Sequence, residues 1–150
     1  MIYKGVRQMK RFAGLVVLAF LVLPIQALGQ TSQQYALMGK KLWAAFACAA
    51  VTDVIGDDAE ENRLFKMGYE QGRTFLDAIK SGKVEQRDLN NEVPLTIVYV
   101  LKGPNADFIL GRIWEAIIDE VTKDIFAIDD KVLQKNVARR KYAQMNCSLM

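Results

Sequence analysis

Apolar residues recur at steps of three and four positions along most of the chain, a spacing that places them on one face of an α-helix. The pattern predicts a first helix over 33–54 and a second over 59–80. The same spacing predicts further helices over about 106–126 and 130–145. Breaks rich in Asp, Asn or Gly separate these segments, and residues of these types commonly cap helix ends.

The segment 83–102 does not show a clear helical period. Its first half, 83–92, is polar and predicts a connector with a turn. In 93–102, Val, Thr, Ile and Tyr favour a strand, whereas Pro94 suits the first turn of a helix. A lone strand would have nothing to pair with in a helical chain, so we interpret 93–102 as a short buried helix. The sequence thus predicts an all-α fold, a compact bundle of about five helices.

Three of the glycines in the predicted helices are candidates for close packing. Gly68 and Gly72 are one turn apart in the second helix, and Gly111 lies in the helix over 106–126. Glycine inside a helix costs about 1 kcal/mol relative to alanine, so we expect close packing at all three positions. A ring such as Trp43 or Trp114 is the expected neighbour of the Gly68–Gly72 pair, and Gly111→Leu is expected to destabilise the fold through a clash.

The large apolar residues are interpreted as core and not as a ligand cage or a base-stacking surface. Aromatic side chains at helical spacing most often fill the interior of a helical protein. The aromatic members of this predicted core are Trp43, Phe46, Phe65, Phe75, Phe108 and Trp114. The last helix is expected to contribute Val132, Leu133, Val137 and Tyr142.

The N-terminal segment differs from the rest of the chain. A charged start, Met9-Lys10-Arg11, precedes 12 uncharged residues from Phe12 to Leu23, and Ala27-Leu28-Gly29 then supplies small residues. This order is typical of a secretory signal peptide, and the apolar run is shorter than the roughly 20 residues that a membrane-spanning helix needs. We predict a cleaved signal over 1–29, with Met9 as an alternative start, and a single helical domain over 30–150 in the periplasm or outside the cell.

The charge of the exported chain differs from that of the whole sequence. The whole sequence has a formal charge of +3, from 20 basic and 17 acidic residues. The signal segment holds four of the basic residues and no acid, so 30–150 holds 16 basic and 17 acidic residues. A charge near −1 gives no reason to expect nucleic acid or anionic lipid as a partner. No stable membrane insertion is expected after the signal is cleaved.

Cys48 and Cys147 are the two cysteines of the chain. In an exported chain two cysteines predict one disulfide, which here would join the first helix to the last. No histidine is present. Two cysteines without histidine do not complete an ordinary zinc shell, so we expect neither a metal nor a cofactor.

The lack of histidine also removes the Ser-His-Asp and Cys-His nucleophile systems and the commonest general base. The remaining candidates for acid–base chemistry are the acidic pairs Asp57-Asp58, Glu60-Glu61, Asp119-Glu120 and Asp129-Asp130. Adjacent residues on a helix point about 100° apart, so we interpret these pairs as helix caps or solvated faces. We predict that the protein is not an enzyme.

The stretch LKGPNADFILGRIWE, Leu101 to Glu115, most resembles a functional motif. It lacks the glycine spacing and the lysine of a phosphate-binding loop. The amides that follow Asn105 offer an anion site, but every helix start does so. Arg112 is expected to pair with Asp107 or Glu115 and not to bind an anion.

The residues of 101–115 are better explained as the end of one helix and the start of the next than as an anion-binding loop. Gly103 is expected to end one helix and Pro104 to prevent its continuation, while Asn105 caps the next helix. The stretch is thus predicted to be a helix–turn–helix corner. We expect the exposed part of the corner to contact a partner through Pro104, Asn105, Asp107 and Arg112.

Three features together resemble a known family. They are Cys48 late in the first helix, the segment FKMGYEQGRTFLDAI over 65–79, and a C-terminal helix ending at Cys147. This layout, over about half of the exported chain, resembles the Rap1a/Tai group of small exported immunity proteins. The resemblance implies a helical, disulfide-bonded periplasmic protein that blocks a peptidoglycan-cleaving amidase delivered by type VI secretion. It assigns no functional residue.

The sequence therefore favours an exported binding protein that occludes another protein, for example a co-encoded toxin, with a homodimer as a further form of association. One alternative is a periplasmic stress or assembly chaperone, whose pH response would depend on carboxylates because the chain has 17 acids and no histidine. The other alternative is a small carboxylate-based hydrolase, which the missing histidine disfavours.

Overall fold

The computed structural model describes residues 29–150, which form six α-helices and a final 3-10 turn. The elements are α1 (Ser32–Ile55), α2 (Asp58–Lys80), α3 (Gln86–Glu92), α4 (Leu95–Val100), α5 (Ala106–Phe126), α6 (Lys131–Gln144) and the 3-10 turn Cys147–Leu149. No β-strand occurs within 29–150, which confirms the all-α prediction. The predicted signal peptide lies outside the described residues except for Gly29.

The helix α1 lies at the centre of the bundle and packs along α2. Thr31 and Gln34 begin α1 with a capping box, in which each side chain accepts a hydrogen bond from the other residue's backbone amide. Gly56 ends α1 with a left-handed backbone, φ 84°, and Asp57 caps α2 by accepting from Glu60 N at 3.1 Å. This short reversal lays α2 back along α1.

The core lies between α1, α2 and α5, and Ile97 of α4 and Ala138 of α6 add to it. Its largest fully buried side chains include Leu42, Phe46, Phe75, Ile97, Ile113 and Ile117. Burying a side chain of this size stabilises a fold by roughly 1.5–3 kcal/mol. Buried alanines of α1 give the neighbouring helices room to approach: Ala36, Ala45, Ala47, Ala49 and Ala50.

The Cys48–Cys147 disulfide joins α1 to the 3-10 turn that follows α6, with Cα atoms 5.6 Å apart. Both cysteines are buried, and the bond confirms the predicted pairing. A disulfide is typical of proteins in oxidising compartments. Among the helices of 29–150, none has the length and apolar content required to cross a membrane.

The helix α3 was not expected, because 83–92 is polar and was predicted to be a connector. Its start is fixed by a distant residue: Glu85 N donates to Ser32 Oγ at 2.8 Å. Hydrogen bonding with Ser32 also holds the pKa of Asp88 below its ordinary value, and Leu89 packs against the core. The stabilising contacts are therefore long-range, which explains why the local pattern did not show this helix.

The ambiguous segment 93–102 contains the helix α4, and not a strand, as predicted. Within α4 only Ile97 is fully buried, whereas Leu95 and Tyr99 are 61% and 76% exposed. The prediction that the whole helix is buried is wrong, because a six-residue helix lying on α5 covers one face alone.

The aromatic residues divide between core and surface. The ring of Phe46 stacks on that of Phe65, with centroids 5.2 Å apart, and meets Trp114 edge-on at 5.1 Å. Phe65 and Phe108 remain 37% and 51% exposed. The prediction that all these aromatics are core is therefore wrong for Phe108, and Phe65 lies at the edge of the core.

Candidate functional site

The corner between α4 and α5, residues 101–105, is exposed but well braced. The Asn105 side chain caps α5 by accepting from Phe108 N at 2.8 Å, as the sequence predicted. Phe108 lies over Gly103, where an added Cβ would be 2.5 Å from Phe108 Cδ1. Pro104 and Asn105 are both exposed. The corner therefore presents accessible residues on a backbone that its own contacts hold in one shape.

Asp107 connects the start of α5 to α2. Its Oδ1 accepts hydrogen bonds from Tyr69 Oη and from Arg73 Nη1, both at 2.7 Å. These hydrogen bonds, from Tyr69 first and then Arg73, hold the pKa of Asp107 below its ordinary value. The bond to Asp107 also raises the pKa of Tyr69. The carboxylate is thus ionised and already partnered, so it braces the corner.

Arg112 has a different role from the predicted one. Neither Asp107 nor Glu115 forms an ion pair with it in the described part of the chain. Five positions along a helix correspond to about 140° of rotation, so Arg112 points away from Asp107. Its Nη1 instead donates to the carbonyl of Lys102 at 2.7 Å. Arg112 therefore fixes the chain that enters the corner.

A groove of about 520 Å³ lies between this corner and the C-terminal half of α2. We call it the corner groove. Three charged residues of α2 line it: Arg73, Asp77 and Lys80. The rest of its lining is mostly apolar and consists of Leu76, Ile79, Leu101, Gly103, Pro104, Asn105, Ala106 and Ile109. A concave surface with apolar walls and a few charged groups is typical of binding sites.

Gly68 and Gly72 do allow close packing between helices. A Cβ added at Gly68 would lie 2.5 Å from Cδ1 of Phe46, and one added at Gly72 would overlap Leu110 and touch Leu42. The ring at Gly68 is that of Phe46 and not Trp43 or Trp114, the rings expected from the sequence. These glycines position α2 between α1 and α5, and thereby the α2 side of the corner groove.

The prediction of close packing at Gly111 is wrong. An added Cβ at this position would meet no atom within 4 Å, and the residue is exposed on α5. The apolar residues that follow in α5 made this position look internal, but the buried face of the helix passes through Leu110 and Ile113. The expected clash of Gly111→Leu therefore has no basis in the structure.

The acidic pairs do not converge on a common site. Asp57 and Asp130 cap α2 and α6, as interpreted from the sequence. Glu120 Oε2 accepts a hydrogen bond from Thr96 Oγ1 at 2.5 Å. Within 29–150, no group of three or more His, Cys, Asp or Glu residues is placed to hold a metal ion.

Glu60 joins α2 to α6 and is the most perturbed carboxylate. It accepts from Arg63 Nε at 2.6 Å and from Tyr142 Oη at 2.7 Å. These hydrogen bonds, from Arg63 first, lower the pKa of Glu60 to about 2, while burial and the bond to Glu60 raise the pKa of Tyr142. Sequence reasoning missed this cluster because Glu60 and Tyr142 are 82 positions apart.

The near-neutral charge of 30–150 conceals an uneven distribution. Residues 131–150 hold five basic residues and no acid, whereas 30–130 holds 11 basic and 17 acidic residues. Val132 and Leu133, predicted to be core, are 70% and 46% exposed on α6, because the buried face of α6 passes through Gln134 and Ala138. The net charge of 30–150 does not show that α6 is basic. Counting acidic and basic residues separately for 131–150 would have shown it from the sequence.

No protein-family model, curated protein or solved structure matches this chain. The resemblance to the Rap1a/Tai group therefore stays a prediction that rests on Cys48, Cys147 and the segment 65–79. The structure itself defines an all-α bundle closed by one disulfide, with a braced corner and a groove beside it.

Proposed function

We propose that this chain is an exported binding protein whose corner groove receives part of a partner protein, and that the partner is a secreted toxin which the chain occludes. The observation that supports the proposal is the groove of about 520 Å³ beside a corner already held in shape. A site formed before binding loses little conformational freedom when a partner docks. Occlusion needs no catalytic group, which fits a chain without histidine.

The charged side chains that line the corner groove indicate which groups of a partner protein would contact it. Arg73 is engaged by Asp107 at 2.7 Å. Asp77 and Lys80 are exposed and form no ion pair with any residue of 29–150. They are accordingly available to a partner that presents an apolar side chain flanked by charges of both signs. Charged groups around an apolar contact favour fast association and selection among partners.

The experiment tests whether the chain binds the toxin and whether it protects cells from the toxin. The chain is produced with its own N-terminal segment in cells that export the product of the adjacent gene, and growth is compared with and without the chain. The two purified proteins are then titrated by calorimetry. A double variant, Asp77→Lys with Lys80→Glu, reverses both free charges of the groove, and we expect it to weaken binding about tenfold or more and to remove protection.

A matched control is provided by the same helix. Lys66→Glu with Glu70→Lys reverses two exposed charges of α2 that do not line the corner groove, and it leaves the net charge unchanged as the test variant does. The control is expected to bind and protect like the wild type. Absence of binding and protection by the wild type refutes the proposed function. Equal losses in both variants refute the assignment to the groove.

A further inference from the structure

The outward face of α6 carries exposed aliphatic side chains and cations that form no ion pair within 29–150, although Arg139 Nη1 donates to Asn136 Oδ1 of the same helix at 3.3 Å. At about 100° per residue, Lys135, Arg139, Val132, Arg140 and Leu133 lie in that order within an arc of about 160°, with Ala143 and Asn136 between Val132 and Arg140. All five are exposed. We call this surface the α6 basic face. No acid within 29–150 pairs with its three cations.

The acids closest in sequence form no ion pair with the cations of this face. Asp129 and Asp130 precede α6, and the Asp130 carboxylate accepts hydrogen bonds from the amides of Val132 and Leu133 at 2.7 and 3.0 Å. Lys141, the remaining cation of the C-terminal half, donates instead to Asp124 at 2.8 Å. The positive charge of Arg139 and Arg140 thus stands near the end of the helix that favours cations.

We propose that the α6 basic face binds the anionic headgroups of a membrane surface. Each basic residue near an anionic bilayer strengthens binding about fivefold, which corresponds to about 1 kcal/mol. Val132 and Leu133 lie among the cations, where they reach the boundary between headgroups and acyl chains as the protein docks. Binding to a bilayer surface strengthens with the apolar area that is buried in it and with the attraction of cations to anionic lipids.

The composition of the face favours a lipid surface over a macromolecular partner. It contains no aromatic residue, whereas contacts that dominate protein interfaces are enriched in Trp and Tyr and single-stranded nucleic acid is held by stacking on aromatic rings. No residue of α6 lines the corner groove. The helix α6 contacts α5 at Val121 and Asp124, near the C-terminal end of α5. The corner lies at the opposite end of α5, before its N-terminus. Both surfaces are therefore free to act together.

Vesicle co-sedimentation tests the proposal. The chain is purified in disulfide-bonded form from cells that carry the full-length gene, and mass spectrometry establishes its N-terminus. It is mixed with phosphatidylcholine vesicles that contain about one-third phosphatidylglycerol or none, at about 0.1 M salt, where the Debye length is about 10 Å. We expect binding to the anionic vesicles alone. The triple variant Lys135→Gln, Arg139→Gln and Arg140→Gln should bind about a hundredfold more weakly, at about 1 kcal/mol per cation.

The control variant is Lys40→Gln, Lys41→Gln and Lys66→Gln, which removes the same charge from exposed, unpaired positions of α1 and α2. It should retain at least a third of the wild-type affinity. Circular dichroism establishes that both variants are folded. Equal binding of the wild type to both vesicles, equal losses in both variants, or binding of DNA or an acidic protein without binding of anionic vesicles would each overturn the proposal.

Discussion

The glycine at position 111 offers the sharpest test of how α5 packs. Gly111 is exposed and has no atom within 4 Å of an added Cβ, whereas a Cβ at Gly68 would lie 2.5 Å from Phe46 Cδ1 and 3.3 Å from Ala45 Cβ. The same substitution, glycine to alanine, should therefore stabilise the fold at position 111 and give no gain at position 68.

The magnitudes follow from helix propensity and packing. Both substitutions gain about 1 kcal/mol because alanine is the better helix former. At Gly111 nothing opposes this gain, so Gly111→Ala should raise the melting temperature by roughly 3–5 °C for a chain of this size. At Gly68 the Phe46 ring is fully buried, and overpacking typically costs about 1–3 kcal/mol. Gly68→Ala should therefore be neutral to destabilising by about 2 kcal/mol.

Thermal unfolding followed by far-UV circular dichroism measures both changes under identical conditions. The test depends on the sign of each variant's change in melting temperature. Gly111→Ala should melt above the wild type, and Gly68→Ala at or below it. A fall for Gly111→Ala as large as that for Gly68→Ala would refute the open face and indicate that something covers α5, such as a second copy of the chain.

Three further predictions concern the disulfide and two hydrogen-bonded carboxylates. Replacing Cys48 and Cys147 by alanine should lower the free energy of unfolding in urea by about 4–5 kcal/mol, because the disulfide closes a loop of 99 positions; a loss below about 1 kcal/mol would contradict the chain-entropy account. Glu60 has a pKa of about 2 in the fold against an ordinary 4.5, so its ionised form stabilises the fold above about pH 4.5 and loses this effect as the pH falls towards 2. Urea midpoints of wild type and Glu60→Gln should therefore differ near neutral pH and converge near pH 2, and a constant difference would count against the assignment. Tyr69→Phe removes a hydrogen bond to Asp107 and should raise the Asp107 pKa towards its ordinary value in a carboxyl NMR titration, whereas an unchanged pKa would show that Arg73 alone sets it.

Local helix signals predicted much of this fold. Asn105, Asp57 and Asp130 cap helices where the sequence placed caps, because capping depends on residues within one turn. The Cys48–Cys147 pairing followed from there being two cysteines in a chain expected to be exported. These inferences succeeded because they required either neighbouring residues or a single available partner.

Features that depend on distant contacts were missed. The helix α3 is stabilised through Ser32, 53 positions from Glu85, and Asp107 is bound by Tyr69 and Arg73 of α2. Helical spacing shows which residues share a face, but it does not show which neighbour covers that face. For the same reason Gly111 was assigned to a packed surface although its side of α5 is open.

The corner groove followed only in part from the sequence. Pro104 and Asn105 were expected at an exposed corner, and both line the groove. The opposite wall, with Arg73, Asp77 and Lys80, belongs to α2, and nothing in the local sequence pairs it with the corner. The relative placement of α2 and α5 depends on Gly72 beneath Leu110, which is a tertiary contact.

The most direct test of the proposed function is hydrogen–deuterium exchange of the disulfide-bonded chain with and without the purified product of the adjacent gene. Occlusion through the corner groove predicts slower exchange over 73–80 and 101–109 in the complex, with little change in α6. Unchanged exchange in both segments, or protection confined to another face of the bundle, would contradict the account.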